Sequence, residues 1–479
     1  MLTLTRSKWF AVIAATSLIA AACGDDDESG SDATAGADTA DDGGASTAAP
    51  AVTTADAGAT ATTDGATATT GGDTATTGGD TATTGGDPAT TDAGTATTGG
   101  DTAASGPAPS GEPIRIAALT SLTGNFAPWG IQVQDGMQLA VDEINAAGGA
   151  GGRPLELVVA DDQSNAEEGV SQLERLIEDG VVAVGGIISS DVGLATAQVA
   201  EESEVPMLLV KAGAETILTR ESRYTFRTCI PSAPMVAGPI VQYAQSEGIT
   251  KVGAIVADYG WGQAIKSALE AEFGAVEGIE LQVEVAPVPE QDFTTYLRSL
   301  EAFGPELLVA TGHPPGSGAI TVQSNDLGLD IPVTGAYSPL ALVVGGAPDA
   351  AIGRYADFDC ADWESEEYQD LARRYLALSE NEFMDDDAVA GYGIVTMVAE
   401  AVGEVGDDPV AIAEYLHANT FDLPGYPFEM GWTEWGEMAT AQPLFAVIGE
   451  GPAPEGVNEA GDWYPEVLIR PEPLEPYEP

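Results

Sequence analysis

From residue 113 onward, short apolar runs alternate with amphipathic stretches. The runs 114–122, 155–160, 181–188 and 206–210 are rich enough in Val, Ile, Leu and Ala to read as strands buried on both faces. Between them, 131–147, 166–179 and 191–203 carry helical spacing. That order predicts a parallel sheet with helices on both faces. A second series follows, with strands at 252–257, 281–287, 306–312 and 332–336 and helices at 234–247, 260–274, 293–303 and 318–327. Further helices are expected at 364–379, 388–405 and 409–418, and irregular strands from Asp422 onward that finish the sheets. Two such α/β units in tandem, neither with a nucleotide-binding motif, predict an α/β protein of two lobes around a cleft. The expected divisions are 113–234 with 362–440 for lobe one, and 235–361 with 441–479 for lobe two.

Residues 1–112 break this pattern. Arg6 and Lys8, a short apolar stretch at 9–19 and small residues at 20–22 precede Cys23, as in a bacterial lipoprotein signal peptide. The apolar stretch is short for a membrane span. It resembles a lipobox, with Ala20 where Leu is usual, so Cys23 is the expected lipidation site and 1–22 the cleaved signal. The region 23–112 is expected to be a disordered tether. After Cys23 it holds Ala, Thr, Gly, Asp and Ser with no aromatic residue and no Lys or Arg, and TATTGGD recurs at 67–73, 74–80, 81–87 and 95–101. These repeats lack the large apolar side chains a coiled-coil seam requires, and cannot bury enough surface to offset chain entropy. As a flexible coil the tether would reach roughly 50 Å.

Charge narrows the partners. The net charge is −60, and residues 113–479 alone carry −46. Nucleic acid is excluded, because phosphate contacts need clustered Lys and Arg. A basic patch for anionic lipid is excluded for the same reason. The acid runs Asp161–Asp162 and Asp385–Asp386–Asp387 offer carboxylates for a metal, but in a chain this acidic they read as solvated surface charge. With only His313 and His417 as histidines and no CxxC pair, no metal site and no cofactor is expected. Cys229 and Cys360 read either as a disulfide or as two buried free thiols.

Parallel sheets gather loops and helix N-termini at the carboxyl ends of their strands, where ligands bind. Ser189 and Ser190 fall where the third strand gives way to a helix, and Tyr259 falls at the matching turn of the second series. Free N–H groups there suit a carboxylate.

Several segments then resemble a known family. They are Ile116 to Gly124 (IAALTSLTG), Gly136 to Gly149 (GMQLAVDEINAAGG), Leu155 to Asp162, Tyr224 to Thr228 (YTFRT), Asp258 to Gly262 (DYGWG) and Gln291 to Thr294. Their order and spacing over 113–445 resemble a type I periplasmic binding protein of the branched-chain amino acid class, the receptor of an ABC importer. The resemblance implies a lipid-anchored protein outside the cytoplasm that hands a small-molecule ligand to an ABC permease. It also implies that Ser189, Ser190 and the Ala212–Ala214 loop hold the ligand's carboxylate, with Tyr259, His313 and Tyr337 lining the lobe-two wall. Ala214 stands where Thr is frequent, and 335–338 holds no carboxylate for an ammonium, so the ligand class stays open between amino acids, amides and other carboxylates. A sensory receptor without a transporter is the alternative. A secreted hydrolase is the rival class, but neither a G-x-S-x-G elbow nor a histidine in a catalytic motif supports it.

Overall fold

The computed structural model describes residues 108–311, 314–335 and 348–479. The signal, Cys23 and nearly all of the tether lie outside the described residues.

The first sheet is built from β1 (Ile114–Thr120), β2 (Leu155–Asp161), β3 (Ala183–Ile187), β4 (Met207–Leu209) and β5 (Thr225–Arg227). Their order is β2-β1-β3-β4-β5, every pairing parallel. The helices α1 (Ala127–Ala147), α2 (Ala166–Glu178) and α3 (Ser190–Ser203) make the crossovers. The chain then passes through α4 (Ala233–Ser246), β6 (Lys251–Ala257), α5 (Gly260–Gly274), β7 (Glu280–Ala286), α6 (Thr294–Phe303), β8 (Leu307–Thr311) and α7 (Pro314–Asp326). It continues through β9 (Val333–Thr334), α8 (Pro348–Ala351), β10 (Tyr355–Asp359), α9 (Glu366–Leu376), α10 (Asp386–Val405), α11 (Pro409–Ala418), β11 (Leu444–Glu450) and β12 (Trp463–Ile469). The second sheet runs β12-β11-β10-β9-β8-β6-β7, parallel from β7 to β10, with β11 and β12 antiparallel. Two lobes of mostly parallel sheet flanked by helices result, as the sequence pattern predicts.

Helix α10 is long and apolar enough to cross a membrane, yet most of it is buried against α1 and β3. The two helices meet backbone to backbone. A Cβ on Gly136 would stand 2.1 Å from the Ala388 carbonyl oxygen, and one on Gly391 2.3 Å from that of Val133. Only glycine permits this approach, which seats α10 on the first lobe.

Two strands escape the sequence pattern. β5 and β10 are fully buried yet carry Arg227, Asp357 and Asp359. Charged residues mask a buried strand in any reading of hydrophobic periodicity. Arg227 finds Glu437 in a distant segment, whereas Asp357 is held within its own strand by the Tyr355 hydroxyl and the Phe358 N–H. Helix α1 also begins four residues earlier than expected, since Pro128 suits the first helical turn.

Candidate functional site at the carboxyl ends of both sheets

In each sheet the strand order reverses at one place, between β1 and β3 and between β6 and β8. The crevice outside the strand ends at such a reversal is where open α/β sheets bind ligands. In lobe one it is bordered by the loop after β1, by Ser189 and Ser190 after β3, and by 211–214 after β4.

Ser189 is the N-cap of α3, but its side chain makes no capping bond, and Ser190 begins the helix. Both are buried. Ser190 Oγ accepts the Ala214 N–H at 3.2 Å, which ties the two lobe-one turns together. The Ala212–Ala214 loop is held from behind by Arg227. Its Nη2 donates to the Ala214 carbonyl at 2.6 Å and its Nη1 to that of Ala212. Glu437, equally buried, accepts from Arg227 Nε at 3.1 Å. Arg227 therefore orients a loop it reaches from the neighbouring strand. Sequence reasoning noted its segment without assigning it a role.

In lobe two, Tyr259 is the N-cap of α5 and its ring lies 5.1 Å from that of Phe126, centroid to centroid. Phe126 stacks on Trp129 at 5.8 Å. Phe126 caps α1, so this aromatic wall crosses from one lobe to the other. The Trp129 indole is buried, and its Nε1–H has no hydrogen-bond partner among the described residues. Burial, and then the nearby Asp191 charge, push the Tyr259 phenol above its ordinary value, so it stays a neutral donor.

The lobes touch at this site. The Gly260 N–H donates to Asp191 Oδ1 at 2.8 Å, which brings the N-termini of α3 and α5 together. A Cβ on Gly213 would stand 2.4 Å from the Trp261 ring. Trp261 is buried and its Nε1–H donates to Thr311 Oγ1 at 2.9 Å. This is the arrangement of a closed cleft, with helix dipoles from both sides aimed into it. His313 and Tyr337 lie outside the described residues. His417 lies elsewhere, its ring nitrogens beside the Thr433 and Arg223 carbonyls.

One expectation fails here. Asp385, Asp386 and Asp387 are fully buried, as is Asp162. They open α10 beside Lys211, whose ammonium donates to both oxygens of Asp386 at 2.9 and 2.7 Å and lies 3.9 Å from Asp387 Oδ1. It also sits 5.9 Å from the centre of the Trp129 ring. Burial pulls the Lys211 pKa down, but Asp386 and Asp387 outweigh it and keep the ammonium charged. Burial pushes Asp359 and Asp387 well above the usual carboxylate range. The triplet escapes solvent because Gly136 and Gly391 let α10 pack so deeply.

Cys229 and Cys360 form a disulfide. Cys229 lies between β5 and α4, and Cys360 between β10 and α9, so the bond joins two of the segments that pass from lobe to lobe. Their shared position at the crossover, invisible in a linear spacing, brings the two together.

The model of the periplasmic binding protein family matches residues 113–451. The chain belongs to that family. This binding protein is 27% identical over 335 residues to a leucine-, isoleucine-, valine-, threonine- and alanine-binding protein of Pseudomonas aeruginosa, covering 68% of this chain and 87% of that one. It is 31% identical over 224 residues to a Leu/Ile/Val-binding protein of Rhizobium johnstonii, covering 46% of this chain and only 60% of that one. Among solved structures it resembles an ABC transporter substrate-binding protein from Sphaerobacter thermophilus, with TM-score 0.64 and 24% identity over 76% of this chain and 99% of that one. A solute-binding protein from R. palustris in complex with benzoate matches with TM-score 0.65 and 19% identity, over 77% of this chain and 98% of that one. At these identities the structures establish the two-lobed type I fold alone. The relatives are named as amino acid-binding proteins, and the solved structures as substrate- or solute-binding proteins of ABC transporters.

Proposed function

We propose that this is a lipid-anchored solute receptor outside the cytoplasm that captures a small polar ligand by lobe closure and delivers it to an ABC permease. The ligand class is an amino acid or a related amide or carboxylate. One observation carries the reading: Ser189 and Ser190 at the start of α3 and Tyr259 at the start of α5 converge across a closed cleft. In this reading Ser189, Ser190 and the amides of 212–214 hold the carboxylate, while Tyr259, Phe126 and Trp129 cover the apolar body. His313 and Tyr337 complete the lobe-two wall, and Cys23 carries the lipid. The lobes comprise 113–234 with 362–440, and 235–361 with 441–479.

The names of the relatives support an amino acid, and the benzoate complex supports an aromatic carboxylate. The unpartnered Trp129 N–H and the aromatic wall suit either, since both bring a carboxylate and an apolar group.

A thermal-shift screen of amino acids, amides and aromatic acids tests the reading. A ligand at a hundred times its Kd should add about 2.7 kcal/mol of stability. Ser189→Ala or Ser190→Ala should then weaken that ligand by about 1.5–3 kcal/mol, roughly ten- to a hundredfold. Tyr259→Ala should weaken it as well and reduce closure. Wild-type affinity in all three variants places the site elsewhere. Cys23→Ser should abolish membrane partitioning of the mature protein; unchanged partitioning rejects the anchor.

A further inference from the structure

Where the lobes cross over, four buried carboxylates meet one buried ammonium. Asp359 ends β10 of the second sheet, while Asp385, Asp386 and Asp387 open α10, which packs on the first. None of the four is more than 1% exposed. Lys211 is within electrostatic reach of all of them. With the carboxylates ionised, three negative charges are left over in a site closed to water, a cost that folded proteins meet with a counter-ion or a proton.

The geometry is that of a ligand set. One oxygen each from Asp359, Asp385 and Asp386 can be chosen so that all lie within 4.8 Å of one another. Asp359 supplies the second observation. It is 1% exposed, and neither of its oxygens has a hydrogen-bond partner among the described residues. Its carboxylate is thus aimed into the cluster with both lone-pair edges unused. The Cys229 and Cys360 sulfurs border Asp386 Oδ2 at 3.3 and 3.8 Å, but a disulfide has no proton to donate. Carboxylates without nitrogen or thiolate donors select hard cations such as calcium or magnesium over zinc or copper.

We propose that Asp359, Asp385 and Asp386 hold a hard metal cation, calcium in the first instance, which bridges the lobes beside the Cys229–Cys360 disulfide. Lys211 makes this site a neighbour of the cleft, since it bonds Asp386 and lies 5.9 Å from the centre of the Trp129 ring, but the metal ligands themselves are not among the residues assigned to the cleft's ligand. A divalent ion reduces the surplus of three negative charges to one. Because Asp359 comes from the second sheet and Asp385 and Asp386 open a helix packed on the first, the ion ties the two lobes together close to the crossover.

The test uses the full chain, stripped with a chelator and returned to buffered KCl at neutral pH. Calcium titrated into it should bind at one equivalent per chain and raise the Tm. Asp359→Asn should weaken that uptake at least tenfold and remove the Tm increment. Exposed Glu366 and Glu367 provide the surface control, and their change to Gln should leave both unchanged. Terbium serves if Asp359→Asn fails to fold. The phenol of buried Tyr368 senses Asp385, Asp359 and Asp386, so sensitised terbium emission from the wild type should saturate at one equivalent and be displaced by calcium. Uptake that rises without a plateau marks surface binding and overturns the proposal. So does a wild-type Tm indifferent to metal, which leaves protons as the compensation. Stabilisation by lysine or a polyamine but not by calcium or magnesium also overturns it, because the occupant is then an organic ammonium.

Discussion

Asp161–Asp162 closes a strand and Asp385–Asp387 opens a helix, and the two runs are solvated in different ways. Asp161 is half-buried, and its Oδ1 accepts the N–H groups of Leu122, Thr123 and Gln163 at 2.8, 3.2 and 2.8 Å. Asp162 is buried and accepts from Ser121 Oγ at 2.6 Å and from the Ser164 N–H at 2.7 Å. Backbone amides and hydroxyls take the place of water, and the pair pins the loop that leads to Phe126 and Trp129. Ser164 completes the brace by accepting the Phe126 N–H at 3.1 Å. Gln163 and Ser164 both hold positive φ, of 54° and 56°, a conformation that persists only where its surroundings enforce it. At Asp385–Asp387 a single ammonium is the principal compensation. Carboxylates distributed over loop amides build a rigid site wall; carboxylates gathered around one lysine leave negative charge in excess.

The largest expected effect breaks the second arrangement. Lys211→Met removes the one cation that faces these four buried carboxylates among the described residues, and should cost about 3–5 kcal/mol in urea unfolding at pH 7. A loss below about 1 kcal/mol would mean that the carboxylates are neutral without it. Next comes Asp162→Ala, which strands the Ser121 hydroxyl and the Ser164 N–H. It should cost about 1–3 kcal/mol and also lower ligand affinity, because Phe126 and Trp129 lose their brace. A stability loss with unchanged affinity separates the brace from the site. Asp161→Ala should cost about 1 kcal/mol, since water can reach the groups it leaves.

The smallest effect is also the sharpest contrast. Burial raises the Asp162 pKa above 3.8 despite its bonds from Ser121 and Ser164. Burial also pulls Asp161 upward, but hydrogen bonds from Thr123, Gln163 and Leu122 outweigh it and hold the group below 3.8. For Asp162 the folded state binds the proton more readily than the unfolded chain, so its contribution to stability grows as pH falls through the raised value toward 3.8. For Asp161 the contribution is complete above 3.8 and is lost as pH falls through the lowered value. Unfolding of Asp161→Asn and Asp162→Asn beside the wild type, from pH 7 into the acid range, should give slopes of opposite sign. Equal slopes would show that the two carboxylates share one environment.

Much of the fold was legible because its strands are apolar throughout. β1, β3, β6 and β8 read directly, and the family segments that end at Gly124 and Gly262 mark the loops around the cleft. Ser189, Ser190 and Tyr259 fell at strand-to-helix turns by position alone. The aromatic wall of Phe126 and Trp129 was missed, although Trp129 beside Pro128 in an otherwise small-residue stretch was the available signal. Arg227 was missed as a positioning group because its partners Ala212, Ala214 and Glu437 lie in other segments.

By itself the sequence determined the α/β alternation, the two-lobed architecture and the turns that face the cleft. These follow from periodicity and turn chemistry, which act over a few residues. Only the tertiary structure decided that Cys229 meets Cys360, that Arg227 clamps the Ala212–Ala214 loop, and that Asp385–Asp387 leaves the surface. Each depends on segments far apart in the chain: 131 residues separate the two cysteines, 175 separate Lys211 from Asp386, and 210 separate Arg227 from Glu437. A charged side chain carries the same letter whether water or a buried lysine compensates it, and packing alone makes that choice.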